Sequence, residues 1–240
     1  MSGGAGRWIV SKRRHASADG GPDGPGSGST DAGPSTRWPV AEGLSVGEGL
    51  EMPLMSPEPP VMVVALRIEA LALGRPVVVA GMGPRRAARA GAALARRLAP
   101  GSRVVVCGVC GALDPALSSG TVVVADTVGR PGAAPTPLPE VPGLAGALRS
   151  AGLVVVQCPI VSVGRVARGE QRRRLAATAA AVDMESAALV EALDGHPVAV
   201  VRVVADTPVS GLVSGGVRAL RVLHRLRPVL DAQEWDPGRR

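Results

Sequence analysis

The pattern of apolar and polar positions changes sharply near residue 61. From there, short runs rich in valine alternate with segments of alanine, leucine and arginine. This alternation predicts an α/β domain whose strands are buried on both faces. The predicted strands span residues 61–65, 77–80, 103–107, 121–126, 154–160 and 198–204. The predicted helices span residues 67–73, 84–98, 169–180, 184–193 and 214–232. Pro84 suits the first position of a helix, because a backbone N–H there would have no partner within the helix.

The segment before this domain has a different composition. Residues 1–58 are dominated by glycine, proline, serine and aspartate, with no sustained apolar period. Such a segment cannot bury enough apolar surface to fold, so it predicts a disordered tail, or a start codon chosen too far upstream. We expect the folded domain over residues 59–234 and a short C-terminal tail over 235–240. The chain of 240 residues therefore holds one domain of ordinary size.

Charge and composition exclude several classes of protein. The formal net charge is +7, but the arginines are spread over the predicted helices, and the chain has three tryptophans and no phenylalanine or tyrosine. We therefore expect no nucleic-acid partner, because single-strand binding relies on aromatic stacking platforms. Three cysteines do not make a disulfide framework in a chain of this length, which indicates a reducing, cytoplasmic location. The start of the chain lacks an apolar signal core, and no apolar run is long enough to span a bilayer, so we expect no membrane insertion.

Two short motifs have alternative interpretations. Gly81 and Gly83 follow a predicted strand and precede a helix, where backbone N–H groups can face an anion. A dinucleotide fingerprint, however, needs a third small residue, and Arg86 stands there, so a tight turn is favoured. Cys107 and Cys110 have the spacing of redox and zinc sites, but no further ligands follow at a suitable spacing. We therefore expect buried thiols, no metal site and no cofactor.

Four charged residues stand where a solvated surface explains them poorly. Asp183 and Glu185 begin an apolar helix, and helix capping explains Asp183 better than Glu185. Arg202 lies inside a predicted buried strand, where a charge needs a partner. Asp206 ends that strand, and ligands of open α/β sheets bind at the carboxyl ends of strands. The alternatives are turn initiation for Asp206 and a solvated helix position for a further acid, Glu69.

These stretches resemble the nucleoside phosphorylase and nucleosidase superfamily, particularly its 5'-methylthioadenosine/S-adenosylhomocysteine nucleosidase branch. The matching segments are ALRIE (65–69), VVVAGMG (77–83), VVVCGVCGALDPAL (104–117), GTVVVAD (120–126), VDMESAAL (182–189) and VVRVVADTP (200–208). They cover most of residues 60–210, and the DMES segment with the arginine and aspartate of the last strand is the specific part. The resemblance implies a single α/β domain with a mixed, barrel-like central sheet flanked by helices, assembled as a homo-oligomer.

The resemblance also implies roles for individual residues. Glu69 is similar to the glutamate that activates the attacking water, Glu185 to the one that binds the ribose hydroxyls, and Asp206 to the acid that serves the purine N7. Arg202 matches an arginine found near that acid. The substrate-binding residues implied in this way are Met184, Glu185, Arg202, Gly83, Val109 and Gly111.

The expected activity is hydrolysis of the N-ribosidic bond of a 5'-modified adenine nucleoside, with a small-molecule nucleoside as the partner. An adenosyl-lipid substrate, as in hopanoid synthesis, is the main alternative, because the LR-x-E start and the GVCGALDP segment are at least as similar to that group. Phosphorolysis is less favoured, since Gly108–Val109–Cys110–Gly111 offers no hydroxyl to phosphate. A non-catalytic nucleotide-binding domain, in which the acids are structural, is the third alternative.

Overall fold

The structure is a computed structural model that describes residues 59–74, 77–138, 143–207 and 212–232, with the side chains of 212–214 excepted. The tails predicted over residues 1–58 and 235–240 lie outside these ranges. The described strands are β1 (Val61–Val64), β2 (Val78–Val79), β3 (Val104–Ala112), β4 (Val122–Gly129), β5 (Thr136–Pro137), β6 (Val155–Ser162), β7 (Ala181–Asp183) and β8 (Val198–Asp206). The described helices are α1 (Arg67–Leu73), α2 (Pro84–Ala95), α3 (Leu144–Ser150), α4 (Gly169–Leu175), α5 (Ser186–Ala192) and α6 (Leu212–Ala232).

Five of the strands close into a ring. β3 pairs with β7 and β8, β4 pairs with β6 and β8, and β6 pairs with β7. β1 and β2 extend the sheet beyond β3, and β5 extends it beyond β4. Parallel and antiparallel pairs both occur, so the predicted mixed, barrel-like sheet flanked by helices is confirmed.

Apolar side chains cover both faces of the sheet. One cluster joins the sheet to α6 through residues such as Leu223 and Leu226, and another joins it to α2 and α5 through Ala87 and Leu189. With both faces buried, the strands need no alternation of apolar and polar residues. The valine runs of the sequence follow from this arrangement. Within the described ranges, no helix is both long and apolar enough to cross a membrane.

β3 is longer than the sequence suggested. The prediction that this strand ends at Cys107 is wrong, because β3 continues to Ala112 and pairs with β8 from Val104 to Gly111. At Gly108, where φ is 146°, a Cβ atom would lie 2.5 Å from Nη1 of Arg202 and 2.7 Å from Oε1 of Glu69. The glycine therefore serves the close approach of two charged side chains to a strand, and not a turn.

Candidate active site

A cavity of about 740 Å³ opens at the carboxyl ends of β1, β3 and β8, beside α4 and the start of α5. The parallel pairing of β1 with β3 and of β3 with β8 puts these three strand ends on one edge of the sheet. The predicted site residues that line the cavity are Glu69, Val109, Gly111, Met184, Glu185 and Asp206. Three acids from distant parts of the chain are thus brought to one cavity.

Glu69 is held by backbone N–H groups. It is 1% exposed, and its Oε2 accepts hydrogen bonds from the N–H groups of Ala65 (3.0 Å) and Leu66 (2.8 Å). Its Oε1 accepts a bond of 2.9 Å from the N–H of Val109 in β3. A glutamate at the third position of a helix commonly reaches back to the capping residue in this way. The contact from β3 goes beyond capping and fixes the carboxylate at the cavity wall.

Glu185 lies immediately before α5 and next to Met184. Its Oε1 accepts a hydrogen bond of 2.7 Å from the N–H of Gly83, the residue that precedes α2. Burial raises the pKa of Glu185, against the opposing effects of the positive charge of Arg202 and the N–H of Gly83. The turn after β2 therefore supports a buried glutamate. Gly83, expected to contact substrate, contacts Glu185 instead and is not among the residues that line the cavity.

Asp206 ends β8 and forms an ion pair with Arg172 of α4. Nη1 of Arg172 lies 2.6 Å from Oδ2 of Asp206, and the two side chains are 14% and 22% exposed. Arg172 also donates to the main-chain oxygens of Ala112 (2.9 Å from Nε) and of Asp206 (3.2 Å from Nη2). No sequence pattern singles out this arginine, because it is one of three consecutive arginines on a helix.

Arg202 lies behind the cavity wall and is not among the lining residues. It is 1% exposed, with Nη2 2.7 Å from Oδ2 of Asp183 and Nη1 donating to the carbonyl of Cys107. The resemblance placed an arginine at this position near Asp206. The Cα atoms of Arg202 and Asp206 lie four residues apart along a strand, roughly 13 Å. Arg202 pairs with Asp183, and a different arginine, Arg172, reaches Asp206.

Asp183 is the centre of a buried polar network. It accepts hydrogen bonds from the hydroxyl groups of Ser162 and Ser186 and from the N–H of Ser186. Burial lowers the pKa of Arg202, but the negative charges of Asp183 and then Glu185 outweigh it and raise the pKa overall. Arg202 thus stays charged. Capping accounts for only part of the role of Asp183, and the buried arginine in β8 was the signal for a buried acid.

Cys110 lines the cavity, and the main-chain oxygen of Cys107 accepts the hydrogen bond from Arg202. Cys107 and Cys110 are buried thiols, as predicted, and Cys158 is buried as well. Burial raises the pKa of Cys158 to about 12, so its thiol stays protonated near neutral pH. Among the described residues, no cluster of histidine, cysteine and acidic side chains suits a metal ion.

The family model of the phosphorylase superfamily matches residues 60–212, more than half of the chain. No curated protein sequence matches. Solved structures with a similar fold include a mutant futalosine hydrolase of Helicobacter pylori, with 16% identity over 70% of this chain and 96% of that chain and a TM-score of 0.61. A 5'-methylthioadenosine/S-adenosylhomocysteine nucleosidase of Helicobacter pylori has 18% identity over 72% and 95% of the two chains and a TM-score of 0.60. The corresponding nucleosidase of Colwellia psychrerythraea, in complex with adenine, has 20% identity over 74% and 97% and a TM-score of 0.58. The chain therefore belongs to the phosphorylase superfamily, the family of nucleoside phosphorylases and nucleosidases that its motifs resemble.

Proposed function

We propose that the protein is a nucleosidase that hydrolyses the N-ribosidic bond of a 5'-modified adenine nucleoside and releases adenine. The observation that carries the proposal is the meeting of Glu69, Glu185 and Asp206 on one cavity. The volume of about 740 Å³ falls within the range of small-molecule sites. A non-catalytic role for these acids would leave their convergence on one cavity without an explanation.

The chemistry of the reaction matches the positions of the acids. Breaking the C–N bond builds positive charge on the sugar, and a carboxylate beside the ribose stabilises that charge. We assign this task to Glu185, with Met184 against the sugar. The leaving purine is a poor anion, and a proton delivered to N7 lowers the barrier. We assign that proton to Asp206 at the end of β8.

The surroundings of Glu69 favour water over phosphate as the nucleophile. The N–H groups of Ala65, Leu66 and Val109 converge as they would on a bound anion, but the carboxylate of Glu69 already accepts all three. A phosphate at this position would be repelled by the negative charge of Glu69, and none of these three N–H groups would be free to donate to it. Glu69 is instead placed to accept a proton from an attacking water. Phosphorolysis is therefore the less favoured alternative.

The walls of the cavity favour an apolar 5' substituent. Leu66, Met82, Leu113, Val163 and Val166 line it, and Met82 and Val166 are each about half exposed. In two solved structures of similar fold, the Helicobacter pylori 5'-methylthioadenosine/S-adenosylhomocysteine nucleosidase holds a compound with a propynylthio or a butylthio group. The same apolar, partly open wall supports the second candidate, an adenosyl-lipid nucleosidase of the hopanoid type. The nucleoside panel below separates the two substrates.

Two further parts of the proposal concern the state of the protein. We propose a cytoplasmic location, in keeping with the buried cysteine thiols. We also propose a homo-oligomer, because Ile68 and Leu71 on α1 are more than half exposed, as expected of side chains that a second copy covers. Size-exclusion chromatography with light scattering tests the second statement.

The deciding experiment incubates the purified full chain with a panel of adenine nucleosides, including 5'-methylthioadenosine, S-adenosylhomocysteine and an adenosyl-lipid, with and without phosphate. We expect free adenine and a free sugar in both conditions, whereas phosphorolysis requires phosphate and yields ribose 1-phosphate. The Asp206→Asn variant should retain its fold and lose at least about 100-fold in kcat, the scale of general acid catalysis. Near-normal turnover by this variant would remove Asp206 from the mechanism, and absence of adenine throughout would overturn the proposal.

A further inference from the structure

The exposed side of α2 carries a row of arginines and no acid. Projected along the helix at about 100° per residue, the arginines fall within an arc of about 120°, on the side opposite the buried residues Ala87, Gly91 and Leu94. Within the described ranges, none of them forms an ion pair. We call this surface the α2 face, and its residues are Arg85, Arg86, Arg89, Arg96 and Arg97, all exposed.

The charges of the α2 face act against the stability of its own helix. Arg85 and Arg86 stand in the first turn, where the positive end of the helix dipole disfavours cations. Arg85 and Arg89 are four residues apart, so two like charges are neighbours on the helix surface. An acidic residue on α2 would offset both effects, and the helix has none. The stability of the fold therefore does not account for these charges, whereas an anionic partner does.

Apolar groups adjoin the α2 face where the helix begins. Val79 is 42% exposed and Met82 is 51% exposed, and both lie in the segment that leads from the end of β2 into α2. The side chain of Arg86 lies over this segment, since a Cβ atom at Gly81 would be 3.0 Å from Cδ of Arg86. The apolar stem of an exposed arginine thus packs beside the residue next to Met82. Cations and apolar side chains form one continuous surface here.

We propose that the α2 face, with Val79 and Met82, binds the surface of a bilayer that contains anionic lipids. Clustered arginines are attracted to the negative charge of such a surface, and apolar side chains beside them enter the boundary between headgroups and acyl chains. A nucleic acid would match the charge of the arginines but would give the two apolar side chains no apolar environment. The helix lies on the bilayer and does not cross it.

The position of Met82 connects this surface to the cavity, because Met82 is also one of the lining residues. Binding through the α2 face therefore brings the cavity to the bilayer surface. The inference itself does not depend on the proposed nucleosidase activity, since it concerns only the charge and the exposure of these residues.

The test is sedimentation of the purified full chain with lipid vesicles at about 0.05 M NaCl, where exposed charges are weakly screened. The vesicles consist of phosphatidylcholine alone, or of phosphatidylcholine with about one-third phosphatidylglycerol. We expect binding to the anionic vesicles and not to the neutral ones. In the triple variant Arg85→Gln, Arg86→Gln, Arg89→Gln, the partition coefficient should fall at least about tenfold, because each arginine at an anionic surface adds to the attraction.

A control of equal net charge carries Arg218→Gln, Arg221→Gln and Arg225→Gln. These exposed arginines lie on α6, which packs on the other face of the sheet, so the control should bind within about twofold of the wild type. Glutamine is a good helix former, and thermal melts check that both triple variants are folded. Arg89→Gln alone should lose about fivefold, which keeps the test decisive if the first triple variant does not fold.

Three results would overturn the inference. Equal losses in the two triple variants would show that net charge alone attracts the chain to the vesicles. Absence of binding to anionic vesicles, or equal binding to neutral ones, would show that the α2 face does not recognise anionic lipid. Tighter binding to a short DNA duplex than to anionic vesicles at equal phosphate concentration, lost in the α2 variant, would show that the face binds nucleic acid instead.

Discussion

Burial of Glu185 makes its charged form costly for the folded protein, whereas the proposed chemistry needs that charged form beside the ribose. Since burial raises its pKa, the folded protein holds a proton there over a pH range in which the unfolded chain has released it. The free energy of unfolding therefore falls as the pH rises from the ordinary glutamate value to the raised one. Above that window the folded protein holds a charged carboxylate whose burial is costly.

The Glu185→Gln variant removes this cost and the charge together. We expect its melting temperature, relative to the wild type, to increase as the pH is raised from about 5 to about 8. Its turnover should fall at least about 100-fold, because a neutral amide stabilises a cationic sugar poorly. Thermal melts at the two pH values and single-turnover assays check both effects. A melting difference that is independent of pH would contradict the buried-charge argument.

The pair formed by Arg202 and Asp183 gives a second prediction at the scale of residues. Both side chains are about 1% exposed, so Arg202→Met leaves a buried carboxylate without its counter-ion. We expect a loss of about 3–5 kcal/mol in the free energy of unfolding, measured by denaturant titration. The exposed pair of Arg130 and Glu191 is the control, and Arg130→Gln should change stability by less than about 1 kcal/mol. Equal losses in the two variants would contradict the role of burial.

Among the secondary-structure elements, the sequence predicted α1, β1, β2, β4, β6 and β8, because runs of valine between arginine-rich and alanine-rich segments have one simple interpretation. The sequence predicted the start of β3 but not its end, and it gave no prediction of α3 or β5. It missed β7, where an alanine-rich segment with high helix propensity is held as a strand by pairing with β3 and β6. For the same reason α4 ends at Leu175 and not at the predicted residue 180. Glu185 and Asp206 were singled out by their positions at a helix start and a strand end, and Glu69 by the family resemblance. Arg172 was not, since only the tertiary structure distinguishes it from Arg173 and Arg174.

The contact of α6 with β8 depends on one of two adjacent glycines. A Cβ atom at Gly215 would lie 1.7 Å from the carbonyl oxygen of Ala205, the residue before Asp206, whereas at Gly216 it would meet nothing within 4 Å. We expect Gly215→Ala to push α6 away from the strand end, lowering both the melting temperature and turnover. Gly216→Ala should raise stability by up to about 1 kcal/mol, through helix propensity alone. Similar melting temperatures for the two variants would show that this contact is not tight.

Ring closure is the property of the whole molecule that assembles the site. β8 pairs with both β3 and β4, so the end of a late strand comes to lie beside the ends of β1 and β3, more than 90 positions earlier in the chain. No local pattern in the sequence encodes this meeting. It follows from the pairing of strands whose order in space differs from their order in the chain.

The position of β1 defines where the functional domain begins. β1 pairs with β2 on one side and β3 on the other, and the family match starts at residue 60. We expect a chain that starts at residue 59 to keep full nucleosidase activity and a melting temperature within about 2 °C of the full chain, the lower end of the shift that 1 kcal/mol produces in a domain of about 150–250 residues. A chain that starts at residue 66 is the control. It loses β1 and also Ala65, whose N–H donates to Glu69, so it should fail to fold. A large loss of activity in the chain that starts at residue 59 would mean that residues 1–58 take part in the fold or the site.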